Sequence, residues 1–216
     1  MIDARYNRFA KISLEGIRVI RAKTPEDWYH VTRLRAEGFS RVPGFSEAPK
    51  TWTDELDTSD RAFTLLACGQ TNGWIATMRV QDGRKGPLEL AKFVNFESLL
   101  KPTEQPTSQL SRLSVVKGPN SMNAMFGLFK AAWRWCVRQQ ISSMICATPP
   151  WARPIYDFLT FRPLGTEGEF VHDFPVPTRH ITMLVSVSAP FELWRSDNMP
   201  LREQIVDIIH PDLDFE

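Results

Sequence analysis

One stretch near the middle of the chain predicts the fold, and it reads Gln109-Leu110-Ser111-Arg112-Leu113-Ser114-Val115-Val116. Apolar side chains are interleaved with polar ones along it, which indicates a β-strand with two unlike faces. A polar loop that contains proline precedes the stretch, and a Lys-Gly-Pro-Asn turn at residues 117–120 leads from it into a long apolar helical pattern. Packing alone does not require an Arg in the middle of such a strand. Arg112 therefore marks this strand as a candidate functional element.

Patterns on both sides of this strand predict the element order β-α-loop-β-β-β-α-β-α-β. Thr24 and Asn120 are predicted helix N-caps, and Asn72-Gly73 predicts a hairpin turn. An antiparallel front half and a β-α-β back half predict an α+β fold, a three-layer α/β arrangement in which helices flank a mixed, mostly antiparallel sheet. The predicted strands are residues 17–21, 63–68, 74–80, 109–116, 142–148 and 180–187, and the predicted helices are 24–39, 120–140 and 155–159, with a short one near 96–100.

The length of 216 residues fits one domain of ordinary size. We predict a domain over residues 1–188, with its core at about 17–188. Residues 189–216 are predicted to form a tail that carries a short amphipathic segment at 201–209. No internal repeat or low-complexity segment divides the chain further.

Composition excludes several classes of function. A net charge of +1 offers no general reason to bind nucleic acid or a membrane surface. The three Cys residues lack metal spacing and indicate a reduced, cytoplasmic setting. No run of 18 apolar residues predicts a membrane-spanning helix, so we expect no stable membrane insertion. The four His residues are scattered, so neither a metal site nor a Ser-His-Asp hydrolase is predicted.

The element order resembles the GCN5-related N-acetyltransferase fold. The segment 155–165 is similar to the late helix and strand of that fold, where Tyr-x-x-x-Gly-Phe is common, although Thr160 replaces the Gly here. Enzymes of this fold usually bind the pyrophosphate of coenzyme A on a Gly-rich turn before the long helix. The turn in this chain has one Gly, and Pro119 removes an N–H donor. Coenzyme A is therefore disfavoured as the acyl donor.

The chain more narrowly resembles the acyl-homoserine-lactone synthases, which lack the pyrophosphate turn and take their acyl group from acyl carrier protein. Their motif has an Arg and a Phe on the first helix, a Trp, two Asp three residues apart, an Arg on a middle strand, and Glu-x-Ser-Arg on the central strand. The similarity covers about residues 33–165, and long-chain N-acyl amino acid synthases share much of it. The matching residues are Arg35, Phe39, Asp54, Asp57, Arg79 and Gln109-Leu110-Ser111-Arg112.

This resemblance implies an N-acyltransferase that moves a fatty acyl group from acyl carrier protein to a small-molecule amine, without a resident cofactor. The first reaction implied is autoinducer synthesis from S-adenosylmethionine, as in quorum sensing. The alternatives are an N-acyl amino acid synthase and a non-catalytic acyl-binding homologue. The implied catalytic residues are Gln109, Ser111 and Arg112, and the implied substrate-binding residues are Arg35, Phe39, Trp52, Asp54, Asp57, Arg79 and Thr148.

Two positions depart from the family motif. Gln109 stands where the family has Glu, and a neutral amide cannot accept a proton as a carboxylate does. The family Trp corresponds either to Phe45, by spacing, or to Trp52, by identity. The first departure keeps the non-catalytic alternative open.

The charged residues also have two interpretations. Asp54 and Asp57 could form an ion-pair network with Arg35, Arg79 and Arg112 that holds the loop over the active cleft. They could instead belong to a solvated acidic loop, with the strand Arg side chains reaching into water. A further set of basic residues predicts either a solvated face or a surface for the acidic carrier protein, and its members are Lys117, Lys130, Arg134, Arg138, Arg153 and Arg162.

Overall fold

The computed structural model describes residues 12–42, 52–69, 73–165, 169–172, 177–188, 203–208 and 210–213. Within these ranges eight strands form one sheet in the order β1-β2-β3-β4-β5-β8-β6, and β7 pairs with β8 beside β6. The strands are β1 (Arg18–Arg21), β2 (Ala62–Cys68), β3 (Trp74–Asp82), β4 (Thr107–Val115), β5 (Ser143–Thr148), β6 (Arg162–Pro163), β7 (Glu169–His172) and β8 (Thr178–Ser186). The helices are α1 (Pro25–Phe39), α2 (Ser121–Arg138) and α3 (Arg153–Phe158).

The sheet is mixed and mostly antiparallel, as the sequence predicts. Only β4 and β5 pair in parallel, because α2 connects them as a crossover helix. Helices cover both faces of the sheet: Leu65 packs in one buried cluster with residues of α2, and Leu66 packs in another with residues of α1. Adjacent strand residues point to opposite faces, so this arrangement produces three layers.

The beginning of α1 is encoded locally. The Thr24 side chain accepts a hydrogen bond from the backbone N–H of Asp27 at 3.2 Å, and the Asp27 carboxylate accepts one from the N–H of Thr24 at 2.8 Å. Pro25 occupies the first turn, where its missing N–H costs nothing. This capping box confirms the predicted start of the helix.

Asn120 occupies the N-cap position of α2, but its side chain makes no capping hydrogen bond. The hydroxyl of Ser121 instead donates to the carbonyl oxygens of Val116 and Gly118, at 2.5 and 2.8 Å. The predicted side-chain cap is therefore wrong, although the helix begins where expected.

Two short strands are absent from the predicted element order, although the resemblance of segment 155–165 implied a strand where β6 lies. β6 and β7 pair with the same edge of β8, and they contain two and four residues. Segments this short have no measurable periodicity, so the sequence pattern could not reveal them. The segment between β3 and β4 consists of short 3₁₀ turns, including Glu97–Leu99 where a short helix was predicted. The predicted Asn72-Gly73 hairpin turn lies partly outside the described residues.

The described part of the predicted tail packs on the domain. Ile205 and Leu213 are buried in the same hydrophobic cluster as the residues of α2. Lys130 of α2 is 1% exposed, and its ammonium group donates to the carbonyl oxygens of Gln204 and Ile208. Lys130 therefore does not belong to a solvated basic face, which corrects that part of the prediction.

β4 and β5 separate halfway along their length. Their parallel pairing runs from Thr107 with Ser143 to Leu110 with Cys146. Beyond this point residues 111–115 of β4 pair with β3 alone. The two strands therefore enclose a gap that opens toward the C-terminal end of β5.

A β-bulge in β4 lies at the edge of this gap. Ser111 pairs with Arg79 and Ser114 pairs with Thr77, so two residues of β4 lie opposite one residue of β3. Arg112 is the first of the two, and its φ of 54° is in the left-handed region that few residues other than Gly adopt. A bulge bends the strand and redirects a side chain, and such features are frequent beside active sites.

α1 packs directly against the bulge. Gly38 lies so close to β4 that a Cβ atom there would be 1.9 Å from the Ser114 hydroxyl oxygen. That hydroxyl donates a 2.6 Å hydrogen bond to the carbonyl oxygen of Leu34. Gly38 is thus required for the close approach of the helix and does not mark the end of α1.

Candidate active site

The gap between β4 and β5 is part of a cavity of about 630 Å³. This volume lies within the range of small-molecule binding sites. Its wall includes the end of α1, the bulge of β4, the end of β5, the following Pro-rich turn and α3. Five of the predicted site residues line it, namely Phe39, Gln109, Ser111, Arg112 and Thr148.

Four of the other predicted site residues, Arg35, Asp54, Asp57 and Arg79, form an ion-pair cluster beside the cavity, in which Asp54 alone is partly exposed. Arg35 donates to the two carboxylate oxygens of Asp57 at 2.7 and 2.9 Å, and it donates to the carbonyl oxygen of Trp52 at 2.7 Å. The side chains of Arg35 and Asp57 are almost completely excluded from solvent. This bidentate ion pair holds the segment that begins at residue 52 against α1.

Arg79 is the centre of the cluster and is fully buried. Its guanidinium donates to Asp54 at 2.6 Å, to Glu89 at 2.7 Å and to the hydroxyl of Ser111 at 3.1 Å. A carboxylate oxygen of Asp57 lies 3.5 Å away. Arg79 thereby connects the loop, β3 and β4 in one network.

Arg112 completes the network from the bulge. Its terminal nitrogen donates to Asp54 at 3.0 Å and to Glu89 at 3.3 Å, so each of these carboxylates bridges Arg112 and Arg79. The structure therefore brings Asp54 and Asp57 together with three Arg residues, which favours the network over the solvated acidic loop for these two carboxylates.

Glu89 was missed by the sequence reasoning. It lies in a 3₁₀ turn (Glu89–Lys92) within a stretch that has no periodic pattern. Two Gln amides hold this turn: Gln81 accepts a hydrogen bond from the N–H of Glu89 at 3.0 Å, and Gln109 accepts one from the N–H of Leu90 at 2.8 Å. No local signal in the sequence distinguishes Glu89 from its neighbours.

Gln109 has a clear positioning contact. Its side chain is buried in the cavity wall, and the amide oxygen is occupied by the N–H of Leu90. The residue that replaces the family Glu therefore holds the turn that carries Glu89. Glu89 thus supplies a carboxylate at this site, although at a different position in the chain from the Glu of the lactone-synthase motif.

Phe39 and Trp52 lie together at the side of the cavity. Their rings are stacked, with centroids 5.8 Å apart and planes 25° from parallel. The match of Trp52 to the Trp of the lactone-synthase motif stays a prediction. The alternative, Phe45, lies outside the described residues.

The pKa of Asp54 reflects a competition between burial and its Arg neighbours. Burial raises it, but the hydrogen bonds and positive charges of Arg79 and Arg112 outweigh burial and lower the pKa to about 2. The pKa of Asp57 is also lowered, because Arg35 and Arg79 outweigh its burial. Both groups are consequently poor proton acceptors at neutral pH.

These shifts predict an acid-dependent loss of stability. A carboxylate whose folded-state pKa is lowered stabilises the fold above its unfolded-state pKa, and this contribution is lost as the pH falls through the folded value. We expect the free energy of unfolding, measured by urea titration, to fall as the pH decreases from 3.8 toward about 2. Asp54→Asn should reduce this dependence.

Asp60→Asn is the matched control, because the Asp60 side chain is 86% exposed. It should leave the dependence on pH as in the wild type. An unchanged dependence in Asp54→Asn would contradict the assignment of this carboxylate to the network.

Two His residues at the cavity were also missed. His172 of β7 and His180 of β8 both line it, and their ring centroids are 5.2 Å apart. Phe93 stacks on His172 at 4.7 Å. These residues looked scattered because β7 was not recognised, and only its pairing with β8 brings them together.

The described residues contain no group of three or more His, Cys, Asp or Glu residues that could hold a metal ion. Among the helices described, none is both long enough and apolar enough to cross a bilayer. The three cysteines of the chain are free and buried.

No protein-family model matches the sequence, and no curated protein matches it. Solved structures do match its fold. FeeM, an N-acyl amino acid synthase from uncultured soil microbes, superposes with a TM-score of 0.61 at 11% identity, over 79% of this chain and 90% of FeeM.

Two acyl-homoserine-lactone synthases superpose almost as well. LasI has a TM-score of 0.59 at 14% identity, over 90% of this chain and 96% of LasI. The coenzyme A-dependent BjaI, solved with MTA, has a TM-score of 0.59 at 16% identity, over 89% of each chain. N-acetyltransferases are also among the similar structures. At these identities the likeness establishes the shared N-acyltransferase fold and confirms the predicted fold class.

Proposed function

We propose that this protein is an N-acyltransferase that moves a fatty acyl group from acyl carrier protein to a small-molecule amine. The first candidate is acyl-homoserine-lactone synthesis from S-adenosylmethionine. The observation that carries the proposal is the cavity between β4 and β5, which is bordered by the strand bulge and the Arg–carboxylate cluster. The reaction requires no resident cofactor.

The two sides of the cavity suit the two parts of such a reaction. Leu110, Met125 and Ile155 supply apolar wall toward α2 and α3, where an acyl chain would be removed from water. On the opposite face of the sheet, Gln109 and Glu89 offer polar groups to the amine that accepts the acyl group. An acyl thioester in the gap would therefore have its reactive carbonyl at the bulge.

The open edge of β4 provides the chemistry proposed for the carbonyl. Residues 111–115 pair with β3 on one side only, so backbone N–H groups on the other side can donate to an oxyanion. Fixed donors aimed at a developing negative charge lower the barrier of acyl transfer. The neutral amine attacks the carbonyl carbon, the C–S bond breaks, and the carrier thiol leaves.

The ion-pair cluster has a positioning role in this proposal. Asp54 and Glu89 both accept hydrogen bonds from Arg79 and Arg112. These hydrogen bonds join the segment that carries Asp54, the 3₁₀ turn that carries Glu89 and the bulge of β4 into one unit. A rigid unit of this kind holds the acceptor side of the cavity in one geometry. We propose a cytoplasmic location, where acyl carrier protein thioesters are made and free buried cysteines remain reduced.

Synthesis of an N-acyl amino acid is the second candidate. FeeM, which carries out that activity, has a somewhat higher TM-score to this chain than the two lactone synthases reported above. The acceptor separates the two candidates. Incubation of a decanoyl carrier protein with S-adenosylmethionine, and separately with a mixture of amino acids, followed by mass spectrometry of the products, identifies it. Binding of the carrier without any turnover would instead support the non-catalytic homologue.

We predict that the acyl carrier protein thioester is a better donor than the coenzyme A thioester of the same chain, by at least about tenfold in kcat/KM. The turn before α2 has one Gly, and Pro119 removes a backbone donor that a pyrophosphate would need. The fold itself permits either donor, because BjaI is a coenzyme A-dependent enzyme. Steady-state kinetics with matched decanoyl thioesters measures the preference.

The decanoyl thioester of N-acetylcysteamine is the matched control, since it has neither the carrier protein nor the nucleotide. It separates recognition of the carrier from recognition of the acyl chain. A kcat/KM with coenzyme A equal to or above that with the carrier protein would contradict the predicted donor.

A further inference from the structure

His180 lies on the polar side of the cavity. Gln109 pairs with Ile145, and Ala147, two residues further along β5, pairs with Thr182. Paired residues point to the same face of a sheet, and so do residues two apart on one strand. His180 therefore shares the face of Gln109, and both residues line the cavity.

The tautomer of His180 is assigned by one hydrogen bond. Its Nδ1 lies 3.0 Å from the backbone carbonyl oxygen of Thr178, and this contact is shorter than the 3.4 Å contact with the hydroxyl oxygen of the same residue. A carbonyl oxygen only accepts, so Nδ1 carries the hydrogen, and Nε2 of the neutral ring holds the lone pair. Among the described residues, no hydrogen bond to this Nε2 is seen.

The environment of the ring favours its neutral form. Burial lowers the pKa of His180 below its usual value of 6.5, and the hydrogen bond to Thr178 offsets this only in part. An unprotonated imidazole at the wall of a cavity is suited to accept a proton. The ionisable residues on the surrounding elements are His172 beside it and the Glu169–Arg179 pair on β7 and β8, and Glu89, Arg112 and Tyr156 line the same cavity.

The carboxylate, phenol and amide groups at the site are less suitable proton acceptors. Asp54 has a pKa of about 2, and Glu89 is bonded to two Arg side chains. Burial raises the pKa of Tyr156 far above neutrality, so it stays protonated. Gln109 is an amide whose oxygen is already occupied.

We propose that Nε2 of His180 is the proton acceptor for the attacking amine, a role that rests on the acyl transfer proposed above. As the amine nitrogen forms its bond to the thioester carbon, Nε2 takes one N–H proton. When the C–S bond breaks, the imidazolium returns this proton to the sulfur of the leaving thiolate. The acyl-transfer step thus yields the amide and the free thiol, and His180 is neutral again.

The test is His180→Gln, assayed with decanoyl carrier protein and saturating S-adenosylmethionine, or saturating amino acids, across a range of pH. Loss of a general base should lower kcat about 100-fold near neutral pH. In the wild type kcat should fall as the pH decreases through the pKa of His180, because the base becomes protonated. That acid limb should be absent from the variant.

His30→Gln is the matched control, because His30 is not part of the cavity wall, and it should keep the wild-type rate and pH profile. NMR titration of the wild-type His180 ring supplies a readout that needs no substrate: it should show hydrogen on Nδ1 and a pKa below 6.5. Hydrogen on Nε2, or a variant with normal kcat or an unchanged acid limb, would overturn the role of His180 while leaving the acyltransferase proposal intact. A wild type that turns over no acyl thioester with either acceptor would overturn both.

Discussion

Replacing Arg79 by alanine should lower the free energy of unfolding by about 3–5 kcal/mol and abolish acyl transfer. Arg79 is fully buried and bonded to Asp54 and Glu89, with Asp57 3.5 Å away. Removal of the guanidinium leaves these carboxylates close together with fewer positive partners, and Asp57 and Glu89 have little access to water. Urea-induced unfolding, followed by tryptophan fluorescence, measures the stability.

Arg153→Ala is the matched control for this experiment. Arg153 pairs with Asp157 one helical turn away, but both side chains are well exposed, at 45% and 37%. An exposed pair of this kind contributes less than about 1 kcal/mol. Equal effects of the two Arg substitutions would contradict the central role of Arg79.

Loss of activity in Arg79→Ala should follow from lost positioning. Arg79 donates to the hydroxyl of Ser111, directly before the bulge, and holds Glu89 at the cavity wall. Arg79→Lys retains the positive charge but not the planar guanidinium group with its several N–H donors. Relative to Arg79→Ala, we therefore expect it to recover part of the stability and little of the activity. A fully active Arg79→Ala protein would show that the cluster serves stability alone.

Replacing Ala147 by tryptophan should lower kcat/KM for the acyl thioester about a thousandfold or more, equivalent to roughly 4 kcal/mol of lost transition-state stabilisation. Ala147 lies on β5 just beyond its last pair with β4, where the gap opens, and its side chain lines the cavity. A large indole at this point would fill the space proposed for the reacting groups. Ala147 also packs against a buried apolar cluster, so circular dichroism of the variant checks that the fold survives.

Val171→Trp is the control, because Val171 is 61% exposed and does not line the cavity. Displacement of a fluorescent fatty acid from each variant gives a reading that is independent of catalysis. Wild-type kinetics and probe binding in Ala147→Trp would show that the acyl thioester uses a different surface.

The sequence by itself determined the elements whose signals are local. The capping box at Thr24 and Asp27 needs only neighbouring residues, and it set the start of α1. The apolar spacing of α2 and the alternation of the long strands likewise placed these elements, although β3 is buried on both faces from residue 76 on and α2 is buried nearly all round from Ala124 to Trp133. The resemblance to known synthases added the Arg and Asp positions, and the structure brings those residues together in one cluster.

Tertiary structure alone decided the remaining parts of the site. Glu89 lies in an aperiodic segment, and its position depends on hydrogen bonds from its turn to Gln81 and Gln109 on two different strands. His172 meets His180 only through the pairing of β7 with β8, and the bulge at Arg112 exists only in register with β3. The physical reason is that strand register and side-chain contacts join residues far apart along the chain. Such contacts leave no periodic trace in the local sequence.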